Sequence, residues 1–250
     1  MAYSTLIYGK SGFAASITLN LPDSGNAITT RLSEELANVC ASISGDEEIR
    51  AVTITGAGKH FCVGTDPAYS EPATELYSVS KTILNIDRPV IAVINGDALG
   101  QGLELALACD LRIAAETAHF ALPQIVSGVI PRDGGTQLLP RIVGRGKALE
   151  MILLGEPIDA AQAFEIGLVN RVVPLKELES TVTEITKAIC SRGPISLRYA
   201  KEAVLQGLDL TLEQGLHLEA DLYYLLQTTE DRIEGITAFQ ERRPAEFKGK

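Results

Sequence analysis

Glu104 is the residue around which chemistry can be organised in this chain. It lies in the stretch Asn95 to Asp110, NGDALGQGLELALACD. There Gly96, Gly100 and Gly102 interrupt an apolar strand pattern, and Leu103 to Cys109 resumes it at helical spacing. The preceding run Pro89-Val90-Ile91-Ala92-Val93-Ile94 is short and β-branched, which predicts a strand buried on both faces. A buried strand, a glycine turn and a helix N-terminus in succession leave free backbone N–H groups where negative charge can sit. Glu104 is the one carboxylate in the apolar helix that follows. A donor-rich turn with an acid one turn away can hold a developing anion and move a proton.

Other chemistries find less support. The glycines are spaced GxxxGxG rather than GxGxxG, and no GxxxxGK[ST] occurs, so neither a dinucleotide fold nor a phosphate loop is expected. His60 and His119 flank predicted strands and His217 lies in a helical tail; all three are read as surface or satisfied core groups. Cys40, Cys62, Cys109 and Cys190 form no CxxC pair, and Cys109 sits on an apolar helix, which favours reduced thiols in the cytoplasm. A net charge of −10 without any cluster of Lys and Arg argues against nucleic-acid binding. No apolar run approaches the roughly 18 residues of a membrane span, and the N-terminal residues lack a signal-peptide core. With 46% hydrophobic and 22% charged residues, the 250-residue chain can bury a substantial core.

The elements that must position Glu104 follow in order. Residues 4–9 and 14–20 predict a hairpin, then Asn20 to Asn26 a loop. A helix capped by Thr30 or Ser33 runs to about Ser44, with Leu32, Leu36, Val39 and Cys40 on one face. Strands are predicted at 51–55 and 60–63, a helix at 73–85, and after the central strand and helix, strands at 111–115 and 119–122. A glycine-rich connection, 127–135, carries Arg132 and Asp133. Helices are predicted at 135–143, 145–153 and 159–166, with Gly167 as a C-cap. A last strand spans 169–173, and from Leu178 onward only helical patterns remain, including 195–206, 211–227 and 229–240. The chain thus reads as repeated strand–strand–helix units (residues 1–190) and a helical tail (191–250), without a fixed sequence period.

In this order the chain resembles the crotonase family, the enoyl-CoA hydratase/isomerase superfamily. The resemblance is carried by Leu19-Asn-Leu-Pro22 with Asn26-Ala27, by Gly56 to Asp66 (GAGKHFCVGTD) and by Arg88 to Asp110. It continues through Phe120 to Gln124, Gly134 to Gln137, Gly155 to Asp159, Gly167 to Asn170 and the tail Phe239 to Arg243 with Phe247-Lys248. It implies an α/β fold, a spiral of ββα units with a C-terminal helical region that trimerises, giving a homo-trimer or homo-hexamer. It also implies an acyl-CoA thioester as substrate, with coenzyme A as part of that substrate and no metal or redox cofactor.

By the same resemblance the backbone N–H groups of Thr65 and Gln101 form an oxyanion hole, in which each donor is worth on the order of 3 kcal/mol in comparable sites. Many relatives carry glycine where Gln101 stands, so a re-shaped acyl pocket is expected. Asn26, Ala27, Val63, Gly64, Asp66 and Gly100 fall on substrate- or CoA-binding positions. Phe247 and Lys248 fall on tail residues that reach an adenine pocket of a neighbouring subunit. Relatives that hydrate a double bond use two glutamates: Glu104 matches the first, and Gln124 stands at the second. An amide does not exchange a proton usefully near neutral pH but can orient a water. Asp133 lies where divergent relatives place a catalytic aspartate, so Glu104 and Asp133 are expected to share proton traffic. Hydration of an α,β-unsaturated acyl-CoA leads. Double-bond isomerisation and hydrolytic C–C cleavage of a cyclic β-keto substrate are the alternatives, and acyl-CoA binding without turnover is the reading of another class.

Overall fold

The computed structural model describes residues 3–65 and 78–250. The hairpin forms as β1 (Leu6–Ser11) and β2 (Ala14–Leu19), paired antiparallel. Parallel strands β3 (Ala51–Gly56), β4 (Val90–Ile94) and β6 (Leu111–Ala115) extend the sheet, and β9 (Arg171–Val173) completes it in the order β1-β2-β3-β4-β6-β9. A smaller sheet holds β5 (Ala98–Leu99), β7 (His119–Ala121) and β8 (Ile158–Asp159) in the order β5-β7-β8.

The spiral arises because three turns stack. β3, β4 and β6 are neighbours in the large sheet. Cys62 bridges to Ala98, which pairs with Phe120, in the small sheet. Helices α2 (Val79–Leu84), α3 (Gln101–Leu107) and α4 (Gly135–Val143) pack in the same sequence. β4 is buried at four of its five positions, and every residue of α3 is buried, so both lie within the molecule. The core also takes Leu32, Leu36, Val39, Cys40 and Ile43 from α1 (Thr30–Ser44).

Several expectations are corrected. Thr29, not Thr30 or Ser33, caps α1, its side chain accepting from the Leu32 N–H at 3.1 Å. Residues 60–63 form no strand beyond the Cys62 bridge, because the His60 carbonyl is taken by the Asn26 amide at 2.8 Å instead of by a ladder. α3 begins at Gln101, two residues before the apolar periodicity resumes. The start of the helix expected from residue 73 lies outside the described residues.

After α5 (Arg145–Leu154), α6 (Ala160–Glu165) and β9, helix α7 (Leu175–Cys190) lays Leu178 and Val182 against Ile91 and Ile113 of the large sheet. α8 (Pro194–Gly207), α9 (Leu212–Leu226) and α10 (Glu230–Glu241) follow, with α8 packed on α9. Leu212, Tyr224 and Phe239 stand on these helices with their apolar surface exposed, Phe239 at 85%. Among the described residues no helix is long and apolar enough to cross a membrane.

Candidate active site

The site forms where the turn after β3 meets the turn before α3. Leu99 N–H donates to the Cys62 carbonyl at 2.9 Å, which draws the two segments together. Gly64 has φ +102°, and a Cβ there would stand 2.9 Å from the Leu99 carbonyl oxygen and 3.3 Å from Gln101 N. Only glycine supplies both that left-handed geometry and the close approach. Thr65 and Gln101, the residues after Gly64 and Gly100, are thereby placed side by side. Neither backbone N–H has an acceptor among the described residues.

Glu104, 1% exposed, points from α3 into a cradle of backbone donors. Its Oε1 accepts from Asp133 N–H and from Gly135 N–H, both at 2.8 Å. Its Oε2 accepts from the Gln124 amide at 3.2 Å. Ser80 Oγ donates to the Glu104 carbonyl at 2.9 Å and ties α2 to α3. Burial raises the Glu104 pKa; the Gly135 and Asp133 N–H groups pull it down, the Asp133 carboxylate adds to the rise, and Arg132 opposes it. A carboxyl whose charged form is desolvated is a stronger base and a readier acid near neutral pH.

Gln124 sits in a short 3₁₀ turn, Pro123–Ser127. An ionised carboxylate only accepts, so the amide nitrogen must face Glu104. That leaves Gln124 Oε1 as a buried acceptor without a partner among the described residues. A Cβ on Gly100 would lie 3.8 Å from Gln124 Nε2, which puts this amide beside the donor turn.

The Asp133 carboxylate, of which proton transfer is expected, is surrounded by donors. It accepts from Ser78 Oγ, from Val79 N–H at 3.1 Å and Ser80 N–H at 3.3 Å at the start of α2, and from the Gln101 side-chain amide at 2.9 Å. Four donors fill a carboxylate that is 4% exposed, and what meets Glu104 is the Asp133 backbone N–H. Gln101 has a second side-chain partner, accepting from Thr65 Oγ1 at 2.7 Å.

The other expected ligand positions divide. Ala27, Gly64 and Gly100 are buried and Val63 half-buried around the donor turns. Asn26, fully buried at φ +59°, spends its side chain inside the protein: Oδ1 accepts from Leu21 N–H, and Nδ2 donates to the Ala57 and His60 carbonyls. It is a staple of the loop rather than a side chain free for a ligand. Asp66 lies outside the described residues. Phe247 and Lys248 are not brought to Glu104 within one chain. The Phe247 carbonyl accepts from Arg50 Nη2 at 2.6 Å, just before β3, whereas the Thr65 turn follows the far end of that strand. Lys248 N–H donates to Asp231 Oδ1 at 2.6 Å, with its side chain exposed. His60 and His119 both face Asp97, at 3.3 and 3.0 Å, away from the Glu104 cradle. The two backbone donors that hold Glu104 and the hydroxyl of Ser80 were not foreseen. The adjacent glycines Gly134 and Gly135 were the available signal for the former.

Known proteins resemble this chain over essentially its whole length. The enoyl-CoA hydratase/isomerase family model matches residues 10–250. A crotonyl-CoA hydratase of Syntrophomonas wolfei is 37% identical over the full length of both chains. An (E)-benzylidenesuccinyl-CoA hydratase of Thauera aromatica is 39% identical, covering 96% of this chain and 97% of that one. The crystal structure of an enoyl-CoA hydratase from Bacillus anthracis superposes with a TM-score of 0.93 at 40% identity, covering 99% of this chain and all of the other. The chain belongs to the enoyl-CoA hydratase/isomerase family.

Proposed function

We propose that the protein adds water across the α,β double bond of an enoyl-CoA thioester, with Glu104 as the single proton carrier. The observation that carries this reading is the Glu104 carboxylate held by Asp133 and Gly135 N–H beside Gln124, whose buried Oε1 has no partner among the described residues. Full-length relatives named as hydratases support it.

The reaction follows from these groups. Glu104 Oε2 and Gln124 Oε1 are adjacent acceptors that suit a water donating one hydrogen to each. The water oxygen bonds to Cβ as its proton passes to Glu104. The electron pair of the double bond moves onto the thioester oxygen, where the Thr65 and Gln101 N–H groups receive the charge. The enolate then collapses, and Glu104 returns the proton to Cα. One water has been added and the carboxylate is restored. Every step is assigned to the chain's own groups, so the reading calls for no metal or redox cofactor. Gln124 orients and carries no proton; Asp133 positions.

The acyl-CoA binds at a site to which a second subunit contributes in this proposal, through a homo-trimer or homo-hexamer built on residues 191–250. The exposed apolar surface of α9 and α10 supports that role. A reducing, cytoplasmic setting accords with four free cysteines, of which burial pushes the Cys62 and Cys109 thiols up to about 12.

The test is loss of the conjugated-enoyl absorbance of crotonyl-CoA. Wild type should consume it, and Glu104→Gln should be slower by about 10²–10⁴-fold, the worth of a positioned acid–base group. Equal rates in the two proteins would defeat the proposal.

A further inference from the structure

We infer that the side chain of Gln101 is a positioning residue, a brace that holds the two oxyanion donors at their working separation. The inference rests on the enolate chemistry proposed above and goes beyond it, since that chemistry needs only the Gln101 backbone.

The argument starts from the amide's two ends. Thr65 Oγ1 donates to Gln101 Oε1 at 2.7 Å, and Gln101 Nε2 donates to Asp133 Oδ2 at 2.9 Å. Asp133 Oδ2 also accepts from Val79 and Ser80 N–H, so it faces Gln101 as an acceptor, the amide nitrogen must point to it, and the amide oxygen is fixed toward Thr65. Asp133 is itself held by Ser78, Val79 and Ser80 at the start of α2. The result is a one-way chain of bonds from the Thr65 turn, through α3, to α2. Gln101 and Asp133 are each 4% exposed, so water competes poorly for these bonds.

The Thr65 turn needs such a tie. It follows Gly64, whose backbone is intrinsically permissive, and a donor that drifts loses much of its effect on a developing oxyanion. The same bridge ends on Asp133, whose N–H grips Glu104 Oε1. Donor placement and base placement are therefore set by one side chain.

The experiment compares wild type with Gln101→Met, Gln101→Gly, Thr65→Val and Thr65→Ser. Each is measured for kcat, KM and Tm, and for the infrared carbonyl band of a bound enoyl-CoA carrying ¹³C at the thioester carbon. Gln101→Met keeps the volume and lacks the bonds. It should lower kcat about 10- to 100-fold, with KM within about threefold and the carbonyl band returning toward its position in solution. Thr65→Val should match it, Thr65→Ser should keep wild-type behaviour, and the Thr65→Val/Gln101→Met double variant should lose no more than either single one. Gln101→Gly should resemble Gln101→Met.

Wild-type kcat and an unmoved band in Gln101→Met would overturn the inference. So would activity that falls only as Tm falls, with Thr65→Val unaffected. If wild type shifts the bound carbonyl band yet adds no water to any enoyl-CoA, the hydratase reading fails while the variants still decide this one. A wild-type band that does not move on binding overturns the brace itself.

Discussion

Gly135 N and Glu104 Oε1 lie 2.8 Å apart, and a Cβ on Gly135 would come within 2.9 Å of that same oxygen and 2.8 Å of Pro131 Cβ. The acid is therefore gripped by a residue that cannot carry a side chain without moving it. Gly135→Ala should push Glu104 out of its cradle, lowering kcat by about tenfold or more, because a misplacement near 1 Å can cost about 10²-fold. Steady-state kinetics beside a melting curve check this. An unchanged kcat would mean that the cradle does not position the acid.

Gln124 offers a second handle. Gln124→Ala removes the acceptor proposed to orient the water and should lower kcat about 10- to 100-fold, comparable to loss of one positioned hydrogen-bonding group. Gln124→Glu would place a second carboxyl where the amide now stands, 3.2 Å from Glu104 Oε2. Two like charges so close cannot both ionise easily, so the acid limb of the kcat/KM profile should move to higher pH. A profile that stays in place would show that Gln124 lies apart from the reacting proton.

The raised Glu104 pKa has opposite consequences for activity and stability. The base must be ionised, so kcat/KM should rise with pH and level off above the ordinary glutamate value of about 4.3. The folded chain holds that proton more tightly than the unfolded chain. Between the ordinary and the raised value the native state binds more protons, and stability falls as pH rises through this window. Glu104→Gln removes the penalty, so it should melt at or above the wild-type temperature at pH 7 while being nearly inactive. Urea titrations of both proteins at pH 4 and pH 7 measure the difference. A Glu104→Gln protein that is less stable than wild type at pH 7 would count against the desolvated carboxylate.

Asn26 should matter for folding more than for substrate. Asn26→Ala deletes three buried side-chain hydrogen bonds at a φ of +59° that alanine adopts poorly. A loss of about 2–4 kcal/mol in urea unfolding is expected, from about 1 kcal/mol per bond plus the backbone strain. KM for acyl-CoA in the protein that remains folded should change less than threefold. A stable Asn26→Ala protein with a large rise in KM would return Asn26 to the ligand.

What could be read in the sequence was what lies close together along it. The β-branched run before Asn95, the three glycines and the apolar helix with one acid predict a strand, a turn and α3 carrying Glu104, because periodicity and glycine act within a few residues. The Gln101–Asp133 and Asn26–His60 bonds join residues far apart in sequence, and no local pattern announces a side chain that replaces a backbone partner. That replacement is also why residues 60–63, apolar enough for a strand, hold one bridge only. The stacked turns left no repeat because Ala51, Val90 and Leu111, the starts of three neighbouring strands, are unequally spaced. Asp133 shows the limit of position within a motif: its place in the chain points to proton transfer, but nothing local announces that Val79, Ser80 and Gln101 donate to its carboxylate.

The most direct test of the account is the isotopic composition of crotonyl-CoA after incubation with wild-type protein in D₂O, read by mass spectrometry and ¹³C NMR. The account predicts a product heavier by one D₂O after back-exchange of its hydroxyl is allowed for, with one non-exchanging deuterium on Cα. Deuterium without water would make the protein an isomerase. Bound but unchanged crotonyl-CoA, found together with unchanged linear, dienoyl and cyclic enoyl-CoAs, would contradict catalysis by Glu104 altogether.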